Sequence, residues 1–83
     1  LHDPSLHGGL AALTSKQLDV LRLVATGYTN EYIAKATGAS QSSVERWVMQ
    51  IFRALDIDTR GDINPRVEAT RMFIAASSMP ARQ

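Results

Sequence analysis

Five residues between positions 42 and 50 carry side chains that can read the edges of DNA bases. Arg46 can donate two hydrogen bonds to guanine O6 and N7, and Glu45 can accept one from the N4 amino group of cytosine. Met49 can touch a thymine methyl group, and Gln50 can bond the edge of adenine. With Ser42 they recur at helical spacing, which predicts one face of a helix. The same residues would also suit an ordinary solvent-exposed helix surface, so the sequence leaves both interpretations open.

A second set of residues has the chemistry to bind phosphate. Hydroxyl and amide side chains near helix starts, with the free backbone N–H groups there, can donate to phosphate oxygens, and basic side chains can pair with them. For Ser40, capping of a helix is favoured over direct contact, and Lys35 is equally well explained as a solvated lysine. The phosphate candidates are Thr14, Asn30, Lys35, Ser40, Gln41, Ser43 and Arg53.

A short helix and a tight turn are predicted ahead of the base-reading face. Asn30, with Thr29 before it, can cap the first turn of that helix. Gly38 falls where the helix needs a residue with positive φ, and Ser40 can cap the next helix. The two helices are therefore joined by a turn of three residues, 38–40.

The second helix, at about residues 41–55, has one continuous apolar stripe. Its members recur at i, i+4, i+7 and i+11, with two aromatic residues beside them: Val44, Val48, Ile51 and Leu55, flanked by Trp47 and Phe52. This face must be buried, which leaves the base-reading face exposed. Trp47 is expected to pack rather than to stack on a base. Two helices joined in this way predict a helix-turn-helix, whose second helix enters the major groove of DNA.

Helices are also predicted on either side of this pair. Thr14 can cap a first helix that ends at Gly27, and Asn64 with Pro65 can open a last helix at about residues 65–78. The first helix has one apolar face: Leu18, Leu21, Val24 and Ala25. The last has two, formed by Val67, Thr70, Ile74 and Ser78 and by Ala69, Met72, Phe73 and Ala76. One of these two faces is expected to meet the core and the other a partner.

The predicted fold class is all-α, a compact four-helix bundle that contains the helix-turn-helix. No segment alternates over the length of a strand. Residues 13–79 are expected to form the domain, residues 1–12 a linker or disordered tail, and residues 80–83 a disordered C-terminal tail.

Composition excludes several kinds of function. The 83 residues include no cysteine, so neither a disulfide nor a cysteine zinc site can support the core. His2 and His7 lack partners at ligand spacing, and no nucleophile, base and orienting group can be placed together. We therefore expect no metal, no cofactor and no enzymatic activity. The net charge of +1 is weak for a nucleic-acid binder, although residues 14–54 hold five basic and three acidic residues.

Membrane association is not expected. No apolar run approaches the ~20 residues that a membrane span needs. The first residues show neither an initiator methionine nor a secretion signal. The chain is expected to be a cytoplasmic fragment of a longer protein.

The stretch from residue 13 to 34, LTSKQLDVLRLVATGYTNEYIA, resembles the LuxR-type (GerE) DNA-binding domain. That family's pattern has a Leu-Thr pair, a Val-Leu-x-Leu helix and Gly-x-Ser/Thr-Asn. The match continues through residues 38–40 to the apolar stripe and covers about half of the chain. The resemblance implies the C-terminal effector domain of a bacterial transcription regulator. Its fourth helix would mediate dimerisation, which gives as dimerisation candidates Val67, Thr70, Arg71 and Ile74.

The resemblance also implies partners. Duplex DNA and a second copy of the chain are expected, and RNA polymerase is a further candidate. In the resembled family an N-terminal domain controls the DNA reader by phosphorylation of a receiver, by ligand binding or in another way, and a response regulator of a two-component system is one of these forms. The chain departs from the family pattern at four positions: Gln17 stands where Glu is usual, Glu45 for Lys, Trp47 for His and Asp56 for Gly. These changes affect base contacts more than the fold, because the apolar and capping positions are kept.

Two other functions fit the sequence. A promoter reader like region 4 of sigma factors shares the helix-turn-helix but usually lacks the last amphipathic helix. A helical protein-interaction module without DNA binding is favoured by the near-zero net charge and by Glu45. In that case the last helix, with Met72 and Phe73, would dock on a partner.

Overall fold

The computed structural model describes residues 9–78, and none of these residues lies in a strand. Residues 9–11 are helical, and four longer helices follow. They are α1 (Ser15–Thr26), α2 (Asn30–Thr37), α3 (Gln41–Ala54) and α4 (Pro65–Ser78). The predicted all-α fold is confirmed. His2, His7 and the predicted tail at 80–83 lie outside the described residues.

The ends of α1 are set by local hydrogen bonds, as the sequence predicts. The Thr14 hydroxyl accepts from the backbone N–H of Gln17 at 3.1 Å, and the Gln17 side-chain oxygen accepts from the backbone N–H of Thr14 at 2.9 Å. This reciprocal pair is a capping box. Gln17 therefore accepts the hydrogen bond expected of the Glu that is usual at this position in the resembled family, but it carries no charge. Gly27 ends the helix in the left-handed conformation, with φ 106°.

The start of α2 corrects one prediction. Thr29, not Asn30, is the N-cap, and its hydroxyl accepts from the backbone N–H of Tyr32 at 3.1 Å. A capping residue needs an extended backbone, which Thr29 has with ψ 163°, whereas Asn30 is already helical. The Asn30 side chain is therefore released from capping and bonds to α4 instead.

The turn between α2 and α3 follows the prediction. Gly38 is left-handed with φ 73°, and the backbone N–H of Ala39 donates to the carbonyl of Ala34 at 2.9 Å. Ser40 then caps α3, because its hydroxyl accepts from the backbone N–H of Ser43 at 3.1 Å. The two helices of the helix-turn-helix are thus joined rigidly and without an extra residue.

The core draws on all four helices. The buried apolar residues are Val20, Leu21, Val24, Ile33, Ala34, Val44, Val48, Ile51, Phe52, Leu55 and Ala69. The predicted stripe of α3 is confirmed. On α1 the buried face is shifted from the predicted one, because Val20 is buried while Leu18 and Ala25 are only half-buried. Helix α1 packs against the other three helices, so it is wrapped on more sides than a single-stripe pattern anticipates.

The two apolar faces of α4 have different environments. Ala69 is completely buried, and Met72 and Phe73 pack against the core. On the other face, Val67 and Ile74 remain 54% and 53% exposed. The core face of α4 is therefore the one that contains Ala69.

A hydrogen-bonded helical turn lies directly before α1, at residues 9–13. The backbone N–H groups of Ala12 and Leu13 donate to the carbonyls of Gly9 and Leu10, at 3.2 and 3.0 Å. Leu10 packs against the core. A single leucine beside two glycines gives no periodic signal, so its long-range contact was not visible in the sequence.

The connector between α3 and α4 contains a non-glycine residue with positive φ, and no other is found within residues 9–78. Asp56 has φ 59° at the position where the resembled family usually has Gly. Asp tolerates the left-handed region better than most residues. The backbone N–H of Ile57 reaches back to the carbonyl of Phe52 at 2.9 Å, which ends α3. Asn64 then caps α4 as predicted, accepting from the backbone N–H of Arg66 at 2.9 Å.

The assignment of a buried and an exposed face to α3 can be tested by one substitution on each face. Val48 is 6% exposed, so Val48→Asp would place an unpaired carboxylate in the core and should lower the free energy of unfolding by roughly 3 kcal/mol or more. Arg46→Ala, on the exposed face, should change it by less than about 0.5 kcal/mol. Urea denaturation followed by circular dichroism measures both. Equal losses in the two variants would mean that the faces are wrongly assigned.

Candidate nucleic-acid interface

The side of α3 opposite the core carries every residue predicted to read bases. All five are exposed: Ser42, Glu45, Arg46, Met49 and Gln50. Within the described part of the chain, neither a hydrogen bond nor an ion pair joins the side chain of Glu45, Arg46 or Arg53 to another residue. The charged groups of this face are therefore available to a partner, and they are held on a helix whose opposite side is fixed in the core.

The phosphate candidates at the start of α3 are partly engaged in capping. The Ser40 hydroxyl accepts from the backbone N–H of Ser43 and also donates to the Ser43 hydroxyl at 3.0 Å. This double use agrees with the preference for capping at Ser40. Gln41 is exposed beside them. The backbone and side-chain donors of this first turn lie next to the base-reading face, where phosphate contacts would fix its orientation.

The remaining phosphate candidates lie on other helices. Lys35 is exposed on the last turn of α2, and Arg53 is exposed on the last turn of α3. Thr14 is exposed at the start of α1, with its hydroxyl held in the capping box. Asn30 is half-buried, and its side-chain oxygen is bonded within the protein. Lys35 and Arg53 thus have no hydrogen-bond or ion-pair partner for their side chains within residues 9–78, whereas Thr14 and Asn30 each have a structural partner.

Arg66 is a residue of this region that sequence reasoning missed. Its Nη1 donates to the Asn30 side-chain oxygen at 2.9 Å, and its Nη2 donates to the backbone carbonyl of Tyr28 at 2.7 Å. The fork therefore joins the first turn of α4 to the segment that opens α2. Partial burial lowers the pKa of the Arg66 guanidinium from its ordinary value, but an arginine stays charged in proteins. The two partners are 36 and 38 residues away in sequence, so no local pattern could reveal them.

Two aromatic contacts flank the helix-turn-helix. The rings of Tyr28 and Tyr32 stack with their centroids 4.2 Å apart, and both remain exposed. The Lys16 ammonium lies 4.6 Å from the centroid of the Trp47 ring, which places a positive charge of α1 beside α3. Trp47 packs against the core, as predicted. These contacts tie α1 to α3 and stiffen the entry into α2.

The outer side of α4 carries the dimerisation candidates. Val67, Arg71 and Ile74 are exposed, while Thr70 is half-buried and donates its hydroxyl to the carbonyl of Arg66 at 2.9 Å. Arg71 pairs with Glu68 at 2.7 Å, three residues before it. Ile63, in the connector four residues before Val67, is 64% exposed. An apolar stripe with a charged margin thus faces away from the core.

Comparison with known proteins identifies the family. The chain matches "Bacterial regulatory proteins, luxR family" over residues 11–73, which is well over half of its length. It therefore belongs to this family, whose domain is a DNA-binding module of transcription regulators and not an enzyme.

A curated relative carries a related name. The chain is 40% identical over 48 residues to a "Probable transcriptional regulator ycf29" of Guillardia theta. The match covers 58% of this chain and 23% of the relative, so the chain spans less than a quarter of that protein's length. No solved structure is significantly similar to the chain.

No helix within residues 9–78 is both long and apolar enough to cross a membrane. No group of three or more metal-binding side chains is brought together within residues 9–78.

The Lys16–Trp47 contact gives a second test. A cation–π pair at an exposed site is worth about 0.5–1 kcal/mol. We expect Lys16→Gln and Trp47→Leu to show a coupling of that size in a double-mutant cycle on the free energy of unfolding. The cycle cancels the separate effect of Lys16 on the helix dipole. Additive losses would mean that the contact contributes nothing to the attachment of α1 to α3.

Proposed function

We propose that this chain binds duplex DNA sequence-specifically as the C-terminal effector domain of a bacterial transcription regulator, with α3 in the major groove. The observation that carries the proposal is the exposed face of α3. Its charged side chains have no partner among the described residues, and its opposite side is anchored in the core. Membership of the luxR family and the name of the relative support the same function.

In this proposal α3 supplies sequence discrimination. Arg46 would bind guanine through its guanidinium fork, a contact worth about 1–3 kcal/mol against the wrong base. Glu45 would accept from cytosine, and it would also repel a phosphate if α3 entered in the wrong register. Ser42, Met49 and Gln50 complete the face that meets the bases. The rigid turn into α3 keeps the whole face in one orientation.

Phosphate contacts would hold α3 in place. Lys35 and Arg53 are the exposed basic candidates, and Gln41 with the first-turn N–H groups of α3 adds neutral donors. With few basic groups, the salt-dependent part of binding should be modest. A single domain should therefore bind DNA weakly, since one module also has a limited interface of about 600–1,000 Å².

A second copy would strengthen binding. We propose that α4 mediates dimerisation, because Val67 and Ile74 stay exposed on the face that the core does not use. Thr70 and Arg71 lie on the same part of the helix. Two copies on paired half-sites would double the contacts with DNA, which compensates for the weakness of one domain.

The family resemblance alone supports further parts of the proposal. The intact protein would be a cytoplasmic response regulator of a two-component system, and RNA polymerase would be a further partner. These parts of the proposal rest on the resemblance and on no contact within residues 9–78.

DNA binding is tested by fluorescence anisotropy with a randomised duplex pool over a series of salt concentrations. We expect binding that weakens with salt, and sequencing of the bound pool should give an operator. On that operator, Arg46→Ala should weaken binding by about 1–3 kcal/mol. The control is Arg60→Ala, which removes the same charge from the connector and should have a smaller effect.

Failure of this test would have a definite meaning. A folded chain that does not bind duplex DNA even at low salt would favour the protein-interaction module. Equal losses for the Arg46 and Arg60 variants would show that Arg46 contributes only charge.

Dimerisation is tested by substitution and not by deletion, because Ala69 of α4 is buried in the core and loss of the helix would unfold the domain. The double variant Val67→Ser, Ile74→Ser should lose self-association in analytical ultracentrifugation. It should also lose cooperative binding to paired half-sites, while its affinity for a single half-site stays unchanged. Unchanged cooperativity would show that a different surface joins the two copies. Absence of self-association and of cooperativity in the unsubstituted chain would instead favour a promoter reader like sigma region 4.

A further inference from the structure

We propose that Arg66 is a positioning residue for DNA binding. It holds the side-chain oxygen of Asn30, so that the Nδ2 group of the same amide is presented as a donor to a phosphate of the DNA backbone. This inference rests on the proposed function and deepens it. It gives a residue of α4 an indirect part in DNA binding, through Asn30.

The orientation of the Asn30 amide follows from the chemistry of arginine. A guanidinium has five donors and no acceptor, so the Asn30 atom that lies 2.9 Å from Arg66 Nη1 must be the oxygen. The Nδ2 group then occupies the other branch of the amide and points away from the fork. Arg66 therefore favours one of the two orientations that the Asn30 amide could adopt by exchanging its oxygen and nitrogen.

The Nδ2 group of Asn30 is unused and accessible. Among the hydrogen bonds of residues 9–78, the Asn30 amide takes part only through its oxygen. No buried side-chain nitrogen or oxygen of the described chain lacks a partner. Because Asn30 is only half-buried, its unpaired Nδ2 must reach solvent. The protein therefore fixes an amide donor in one direction and leaves it without a partner of its own.

The position of Asn30 makes phosphate the expected acceptor. Asn30 is the first helical residue of α2, and the first helix of a helix-turn-helix crosses the DNA backbone while the second enters the groove. Asparagine amides are among the side chains that contact phosphate oxygens. Glu31 is the neighbouring residue, but consecutive side chains on a helix point about 100° apart. A charge at Glu31 therefore need not face the same phosphate.

The fork also explains why arginine is needed. Nη2 of Arg66 holds the carbonyl of Tyr28 at 2.7 Å while Nη1 holds Asn30, so one planar group fixes both the backbone and the side chain of this segment. A lysine ammonium keeps the charge but cannot hold the two acceptors in this fixed geometry. Since Ala69 anchors α4 in the core, the Asn30 donor is positioned relative to α4 as well as to its own helix.

The first experiment is a double-mutant cycle on the DNA affinity of the 83-residue chain, measured on the selected operator. Asn30→Ala should weaken binding by about 3- to 10-fold, the effect of one net hydrogen bond. Arg66→Lys keeps the charge and should weaken binding several-fold in the unsubstituted chain. In the Asn30→Ala chain it should cause a clearly smaller loss, because only the contact with the Tyr28 carbonyl remains to be disturbed. Equal losses in both backgrounds would overturn the inference.

The second experiment separates positioning from a merely structural role. Asn30→Asp keeps an acceptor for Arg66, and a carboxylate accepts more strongly, so the melting temperature should be kept or raised. The donor is lost and an anion faces the phosphate, so DNA affinity should fall by more than about 10-fold. The matched control is Asn64→Asp, the same chemical change in a residue whose oxygen caps α4.

The outcomes distinguish the two proposals. Equal losses of affinity in Asn30→Asp and Asn64→Asp would show a general charge effect and overturn the inference alone. If the unsubstituted chain shows no salt-dependent binding to DNA, the proposed function fails and the inference fails with it.

Discussion

Burial of the α3 stripe is the constraint on which the rest of this molecule depends. With no disulfide available, apolar contacts among short helices must stabilise the fold. Ile51 and Val44 are almost completely enclosed, and this determines which side of α3 can face outward. The same burial therefore stabilises the domain and selects the residues that a partner can meet. A substitution that rotated α3 about its axis would damage both at once.

The turn into α3 has little freedom because three local devices act within a few residues. Gly38 supplies a left-handed conformation, Ala39 returns a backbone hydrogen bond to α2, and Ser40 caps α3. Each is modest, since a cap is worth about 1 kcal/mol. Together they hold α2 and α3 in one relative orientation. A flexible turn would lose affinity through the entropy of ordering it on DNA.

The sequence revealed what is local and periodic. The caps at Thr14, Ser40 and Asn64 and the stripe of α3 follow from signals within one or two turns, and the structure has them as predicted. The cap at Asn30 was wrong by one residue, because Thr29 and Asn30 are both good caps and pattern alone does not choose between them. The Arg66 fork could not be predicted, since its two partners are more than thirty residues away.

Helix α4 shows how one element can serve the core and still offer a surface. Its pattern has two part-apolar faces, and the sequence alone could not assign them. The small side chain of Ala69 permits close packing, and its complete burial identifies the inner face. Arg66 then extends from the first turn of α4 to the segment that opens α2. A partner that contacts the outer face would meet the same helix that holds Asn30 and the Tyr28 carbonyl through Arg66. Self-association through α4 could therefore affect DNA binding through the contacts of Arg66, in the first turn of α4, with Asn30 and Tyr28. Such an effect would not require the core to move.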